Sequence, residues 1–411
     1  MNLNDTPEEA KFRAAARAWL TANARPKDKS KDRTKRVQKP ESERLDSARQ
    51  WQAKKAEAGY AAITWAPEYG GMGGSSIQSV IYAQEEAKFD VQGGFFDIGL
   101  GMCIPTMLAW ATAEQKERYA KPALYGQEVW CQLFSEPSAG SDVAGLRTKA
   151  TRDGDEWIIN GQKVWTSGAQ YCDYGIIVTR SDPNVAKHKG LTFFFLDMKS
   201  AGIEVRPIKQ MSGESGFNEV FFTDVRVPDS QRLGAVGEGW KVALTTLMNE
   251  RLAIGQGSGV DYSELLDLAR SIELEDGPAI KNANVRSRLA DWYVQTQGLK
   301  YTKFRTLTAL SKGQTPGPES SIGKIVSGPK MQDLASFAMD LQGQGGIMDG
   351  DESVMNSAFQ SQWMWAAGYR IAGGTDEILR NIVSEQVLGL PQDIRVDKGV
   401  SFNELVSNQG K

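Results

Sequence analysis

The stretch "EWIINGQKVWTS" (156–167) decides how the chain is built, because the hydrophobic period changes here. It reads as two strand-like runs on either side of Asn160-Gly161, a dipeptide that signals a two-residue hairpin. Further short β-type runs follow: "YGIIVTRS", "LTFFFLDM", "IEVRPIK" and "NEVFFTDVRVP", separated by turn-rich connectors. Five or six short strands at this spacing predict an antiparallel barrel or sandwich. On both sides the period is helical. Phe12, Ala16, Trp19 and Leu20 share one face, as do Leu45, Ala48 and Trp51. A glycine-rich break, "PEYGGMGGSS" (67–76), precedes more helix through Val80, Ala83 and Glu86, and the pattern continues from Met107 to Tyr125. After "GEGW" (237–240) helical patterns cover 240–256, 260–272, 284–312, 319–342, 352–367 and 375–388. The expected fold is α+β and multidomain: a helical domain over 1–128, a β-domain over 129–236 and a helical domain over 237–411.

Composition narrows the chemistry. The 411 residues are 40% apolar and 24% charged, with a net charge of −3, which argues against nucleic acid as the main partner. The basic run Lys27 to Lys39 is the exception, and it reads as a solvated connection rather than a binding patch. Cys103, Cys131 and Cys172 show no CxxC spacing, which predicts reduced thiols and a cytoplasmic protein. The opening residues are charged and amphipathic, unlike a signal peptide, and no apolar run is long enough to span a membrane. His188 is the only histidine, so a Ser-His-Asp triad would have to rest on it and a multi-histidine metal site is excluded. Catalysis is expected from a carboxylate or a cofactor, with no metal.

Several stretches are candidates for that chemistry. No GxGxxG follows a strand and opens a helix, and "GPESSIGKI" (317–325) departs from a phosphate loop in its spacing and at Ile325. "LQGQGG" (341–346) is either a helix C-cap or a place of close backbone approach. "FSEPSAGSDVAGL" (134–146) leaves backbone N–H groups accessible to a polar ligand edge, or is a plain surface loop. Trp165, flanked by Thr166 and Ser167, suits a flat heteroaromatic ring or the core. In the helix from Trp240 to Ile254, Trp240, Leu244, Leu247 and Ile254 line one face. Arg251 falls within that stripe and Glu250 at its edge beside Ala243, as a structural ion pair or as a poorly solvated base. Near the end, "RIAGGTDEILRNI" (370–382) pairs a double-glycine hinge with Thr375 as N-cap and Asp376 and Glu377 in the first turn.

Taken together, "WCQLFSEPSAGSDVAGLRTKA", "DEWIINGQKVWTSGAQ", "GFNEVFFTDVRVP", "GEGWKVALTTLMNERLA" and "AGGTDEILRNIVSEQVLGLP" resemble the signature blocks of the acyl-CoA dehydrogenase family, in order and over nearly the whole chain. The resemblance implies an N-terminal helical domain, a middle antiparallel β-domain and a C-terminal four-helix bundle, assembled as a homo-oligomer around FAD. It implies oxidation of an acyl-CoA thioester to the trans-2-enoyl-CoA, with electrons passed to an electron-transfer flavoprotein. Carried over residue by residue, it places Phe134, Ser135, Trp165, Ser167, Gly343, Thr375 and Glu377 at FAD. Ser141, Asn249, Arg251 and Gly373 fall at the substrate.

The chain departs from the family at three places. Gly373 stands where many relatives carry the catalytic glutamate. The usual arginine-phenylalanine-glycine segment has no clean match after Asp261, Arg270 being the nearest candidate, and Met339 replaces a glutamine. A subset resembling isovaleryl-CoA dehydrogenase holds its base on the earlier helix before Arg-Leu, which makes Glu250 of "NERLA" the expected base. Two other classes stay open: a flavin oxidase or monooxygenase on the same fold, and a non-catalytic subunit of a heteromeric dehydrogenase.

Overall fold

The computed structural model describes residues 5–27, 40–253, 260, 262–312, 317–350, 352–395 and 397–408. Residues 28–39 of the basic run, 254–256 of the expected 240–256 helix, and Asp261 lie outside the described residues. The helices are α1 (Pro7–Asn23), α2 (Glu41–Glu57), α3 (Ser76–Glu86), α4 (Ile104–Trp110), α5 (Ala113–Leu124), α6 (Gly239–Ala253), α7 (Tyr262–Ser271), α8 (Ala283–Ser311), α9 (Ser321–Leu341), α10 (Ala358–Tyr369), α11 (Asp376–Ile382) and α12 (Phe402–Asn408). The strands are β1 (Arg25–Pro26), β2 (Phe89–Asp90), β3 (Trp130–Leu133), β4 (Lys149–Asp153), β5 (Glu156–Ser167), β6 (Tyr174–Arg180), β7 (Leu191–Asp197), β8 (Ile203–Ile208), β9 (Phe217–Pro228), β10 (Arg232–Leu233), β11 (Glu273–Leu274) and β12 (Gly277–Pro278). They pack as two units. One contains 1–39, 76–90 and 254–391, and the other 40–75, 91–253 and 392–411.

The second unit is built on an eight-stranded sheet in the order β10-β7-β6-β4-β5-β9-β8, with β3 also beside β6. Most neighbours are antiparallel, but β3 runs parallel to β6, and β4 touches β6 at one parallel pair. Alternate residues of the central strands serve two cores. Ile177, Phe194 and Leu196 face one, with Ala48 of α2, while Ile176, Val178, Phe193 and Phe195 face the other, with α4, α5 and α6. Both faces are covered, so "YGIIV" and "FFFL" read as continuous apolar runs.

The Asn160-Gly161 hairpin is not formed. β5 continues through it, and the register against β9 slips between Ile159 and Gly161, a β-bulge. The hairpin turn lies instead at Gly154 (φ +63°), where Asp153 pairs with Glu156. Two contacts explain the difference. Gly161 presses so closely on Thr148, the residue before β4, that a Cβ would lie 2.5 Å from its Oγ1. The Asn160 amide exchanges hydrogen bonds with Asp224 of β9, at 3.0 and 2.9 Å. Pairing with β9 overrides the local turn preference. A second slip, between Lys163 and Thr166, sets Trp165 at φ +60°.

In the first unit α7, α8, α9 and α10 share a core of Leu265, Leu268, Leu289, Trp292, Leu334 and Phe359. Helices α1 and α3 are joined by the buried carboxylate of Glu85, which meets Arg13 at 3.1 Å, Arg17 at 2.9 Å and Lys88 at 2.8 Å. Hydrogen bonds led by Arg17 hold that carboxyl down to about 2. The helix expected from 352 begins only at Ala358, because Met355, Asn356 and Ser357 take left-handed φ of 55°, 54° and 57°. Ser353 and Ser357 share a hydrogen bond at 2.8 Å, the local side-chain pairing that competes with helix. The helix expected over 375–388 is α11 followed by a π-type turn, Val383–Val387. No helix among the described residues is long and apolar enough to cross a membrane.

Candidate functional site

The sequence candidates divide between the two units. In the sheet unit, β3 delivers Phe134, buried edge-to-face against Phe193 at 5.7 Å, and Ser135, half-buried. The loop is pinned from β5. Val164 N–H donates to Ser135 O at 2.9 Å, and the buried Lys163 ammonium donates to Phe134 O at 3.0 Å and Val178 O at 2.9 Å. Lys163 also meets Glu136 at 2.8 Å, and Glu136 accepts from the Arg147 and Thr148 amides at 2.6 and 2.9 Å. Burial pushes the Lys163 ammonium below the usual lysine range, with Glu136 opposing. Burial works to raise Glu136 as well, but Lys163 and the Thr148 and Arg147 donors hold it below the usual carboxylate range, so it stays ionised.

Beyond Glu136, Ser141 stands exposed on a braced loop. Its neighbour Asp142 accepts from Lys187 at 2.8 Å, and Lys187 also bridges to Asp397. Buried Arg180 donates to Ala144 O at 2.5 Å and lies under the Phe402 ring at 3.9 Å. Burial, led by no opposing charge strong enough to offset it, brings the Arg180 guanidinium down to about 10. His188 packs edge-on against Trp240 at 4.8 Å, and burial followed by Lys187 holds it below the usual histidine range.

At the end of β5, Trp165 is 57% exposed, its ring edge-on to Phe217 at 6.1 Å. A tryptophan in left-handed backbone and half in water is not a core residue, and such strain collects at functional places. Beside it Ser167 is half-buried, while Thr166 Oγ1 is buried with no hydrogen-bond partner among the described residues. A desolvated hydroxyl without a partner is costly, so it marks a place for a ligand acceptor or donor.

Of the stripe expected on helix α6, Trp240 and Leu247 pack against the core, but the buried face is centred elsewhere. Val242, Ala243 and Thr246 are buried, whereas Leu244 is 41% exposed, and Ile254 lies outside the described residues. Threonines set the rotation. Thr246 Oγ1 bonds Thr106 Oγ1 at 2.9 Å, and Trp110 Nε1 donates to Thr245 Oγ1 at 3.0 Å. Glu250 is half-buried and lies nearly two turns beyond Ala243, on that same face. Asn249 is half-buried beside it, and the Arg251 side chain lies outside the described residues.

In the helical unit, Gly343 follows α9 with φ +56° and fills the left-handed C-cap role. Gly373 and Gly374 have φ of +65° and +94°, so the double glycine is a left-handed hinge. Thr375 caps α11, its hydroxyl accepting from Ile378 N–H at 3.2 Å. Glu377 is exposed, and its own backbone N–H and the Thr375 hydroxyl hold its carboxyl below the usual range. Lys324, whose "GPESSIGKI" setting is no phosphate loop, is buried and donates to the carbonyls of Ala372 and Gly374.

The residues in the sheet unit fit the flavin that the sequence resemblance implies. Trp165 offers an exposed ring face and Thr166 an unspent hydroxyl. Sequence reading named Thr166 only as a hydroxyl beside Trp165, and it missed Lys163, Glu136 and Lys324. Among the described residues no group of His, Cys, Asp or Glu is placed to hold a metal, and the three cysteines are buried and free.

Three family models match the chain: "Acyl-CoA dehydrogenase, N-terminal domain" over 6–127, "middle domain" over 131–225 and "C-terminal domain" over 237–388. The acyl-CoA dehydrogenase IpdE1 of Mycobacterium tuberculosis is 33% identical over 390 residues, 93% of this chain and 98% of that relative. The acyl-CoA dehydrogenase FadE34 of the same organism is 38% identical over 82% of this chain, which spans only 45% of its length. Among solved structures, the "Tcur3481-Tcur3483 steroid ACAD" matches with a TM-score of 0.78 at 25% identity, over 96% of this chain and 100% of that one.

Proposed function

The chain belongs to the acyl-CoA dehydrogenase family, and from that premise we propose that it oxidises a bulky, ring-bearing acyl-CoA to the trans-2-enoyl-CoA. The observation that carries the reading is Glu250, half-buried on the packed face of α6, in a chain whose residue 373 is glycine. Bound FAD supplies the acceptor for the β-hydride. Phe134, Ser135, Trp165 and Ser167 would hold it, with Thr166 adding its unspent hydroxyl. The family resemblance assigns Gly343, Thr375 and Glu377 to FAD as well.

The residues of the chain do the rest. The thioester carbonyl acidifies the α-carbon, and the Gly373 N–H donates to the oxygen as enolate character grows. Glu250 takes the α-proton. Its half-buried position keeps the carboxylate partly out of water on the packed face of α6. Ser141 meets the CoA arm, and Asn249 and Arg251 line the acyl channel. An electron-transfer flavoprotein would be the electron acceptor that the family resemblance implies. Two features support a ring-bearing substrate: glycine in place of a side chain at 373, and the likeness to a steroid ACAD. Three free thiols fit a reducing, cytoplasmic setting, and the family resemblance implies a homo-oligomer.

The test is anaerobic flavin bleaching of the purified protein with straight, branched and steroid-ring-bearing acyl-CoAs. Bleaching is expected fastest with the ring-bearing thioesters. Absence of flavin, or a bleached flavin that air reoxidises within seconds, would overturn it. A second reading rests on Gly373 and on a relative named for two chains: a heteromeric enzyme in which this chain shapes a partner's site. Bleaching only after a second chain is added would establish it.

A further inference from the structure

We propose that Lys324 is the positioning residue that aims the Gly373 and Thr375 amides at the reacting thioester, an inference that rests on the reading of Gly373 given above. The starting point is covalent geometry. A peptide unit is planar and trans, so the carbonyl oxygen of one residue and the N–H of the next point in opposite directions. Lys324 Nζ holds the carbonyl oxygens of Ala372 and Gly374. It thereby turns the Gly373 N–H and the Thr375 N–H away from α9 and in a common sense.

The neighbouring groups leave those two donors available. Asp376 N–H is taken by Arg370 O at 3.1 Å, and the Thr375 hydroxyl is used in the cap. Neither the Gly373 nor the Thr375 N–H has an acceptor among the described residues. A cation on a carbonyl oxygen also polarises the amide, which strengthens its N–H as a donor.

A second observation shows that one face of α9 is given over to this hinge. Lys324, Gly328 and Gln332 recur every four residues, on one stripe. Gln332 accepts from Arg370 Nη1 at 2.9 Å, while Arg370 Nε holds the buried Asp376 at 2.7 Å. Gly328 makes room between them, since a Cβ there would lie 3.2 Å from Arg370 Cγ. Two consecutive left-handed glycines give the chain at 373–374 the widest backbone freedom, and the Lys324 stripe removes it.

The experiment compares two ligands on the flavin-loaded protein. A 3-thiaacyl-CoA ionises at its α-carbon but has no β-hydride to give, and its bound enolate absorbs at long wavelength. The matching S-alkyl-CoA thioether has no carbonyl oxygen. Lys324→Met is expected to weaken the 3-thiaacyl-CoA by about 10-fold or more, with the thioether changed less than about two-fold, as loss of one oriented donor requires. Lys324→Arg should recover part of the loss. Gly328→Ala, which displaces Arg370 and keeps the charge, should show the same split in smaller degree and stands in if Lys324→Met does not fold.

Equal weakening of both ligands, or of neither, would overturn the proposal. A crystal structure of Lys324→Met reads the latch with no ligand bound. The Ala372–Gly373 peptide is expected to flip or to take two orientations, and a single unchanged orientation would count against the latch. If the wild-type protein forms no enolate band at all, it is the functional reading that fails, and the peptide orientation still decides the role of Lys324.

Discussion

Lys163 and Lys324 are both buried lysines whose ammonium groups hold main-chain carbonyls, yet they stand in contrasting surroundings. Lys163 lies inside a sheet with both faces covered, bound to a buried carboxylate that takes two further amides. Lys324 grips a turn of two left-handed glycines. In the sheet, strands already fix the backbone, and the ion pair anchors the loop that leaves them. At the hinge the backbone has the most freedom, and the lysine supplies direction. The difference teaches that a buried lysine can serve stability in one setting and orientation in another.

The largest effect should come from the sheet. Lys163→Met strands the Glu136 charge in the interior and is expected to cost about 3–5 kcal/mol in urea unfolding. Replacing both partners by apolar residues should recover most of that loss. Lys324→Met should cost less, about 2 kcal/mol for hydrogen bonds from a charged donor. Equal losses at the two lysines would break the contrast.

The contribution of Glu136 should also depend on pH. Its folded value lies below the unfolded one, so its stabilisation is whole above about pH 4.5 and is lost as pH falls through the folded value. The stability difference between wild type and Glu136→Gln should therefore be flat from pH 7 to about 5 and shrink below 4.5. A difference that grows on acidification would contradict the assignment. Smallest in stability is Thr166→Val, expected within about 1 kcal/mol of wild type because the hydroxyl has no partner to lose. The same change should weaken flavin binding by about 10-fold, read by fluorescence titration, and a substitution silent in both would remove Thr166 from the site.

The two regions also differ in how plainly the sequence announces them. The helical, β, helical order follows from period alone. So does the hinge, because two adjacent glycines before a Thr-Asp-Glu start demand positive φ and a cap. The sheet is harder to read. Asn160-Gly161 carries a local turn signal, and only β9, some sixty residues away, decides for a bulge. The face of α6 is set by threonine pairs with α4, and hydropathy ranks those threonines below Leu244. The partners of Lys163 and Lys324 are separated from them by 27 and 48 residues, beyond the reach of any local pattern. What could have been found is the four-residue recurrence of Lys324, Gly328 and Gln332, which puts them on one stripe of α9.

The central claim is that proton abstraction has moved from position 373 to α6. The most direct measurement is exchange of the substrate α-hydrogen into deuterated buffer, followed by NMR with a non-oxidisable 3-thiaacyl-CoA. Wild type is predicted to exchange it, and Glu250→Gln, still carrying FAD, to do so slower by about 10²–10⁴-fold. Exchange at the wild-type rate in Glu250→Gln would contradict the account.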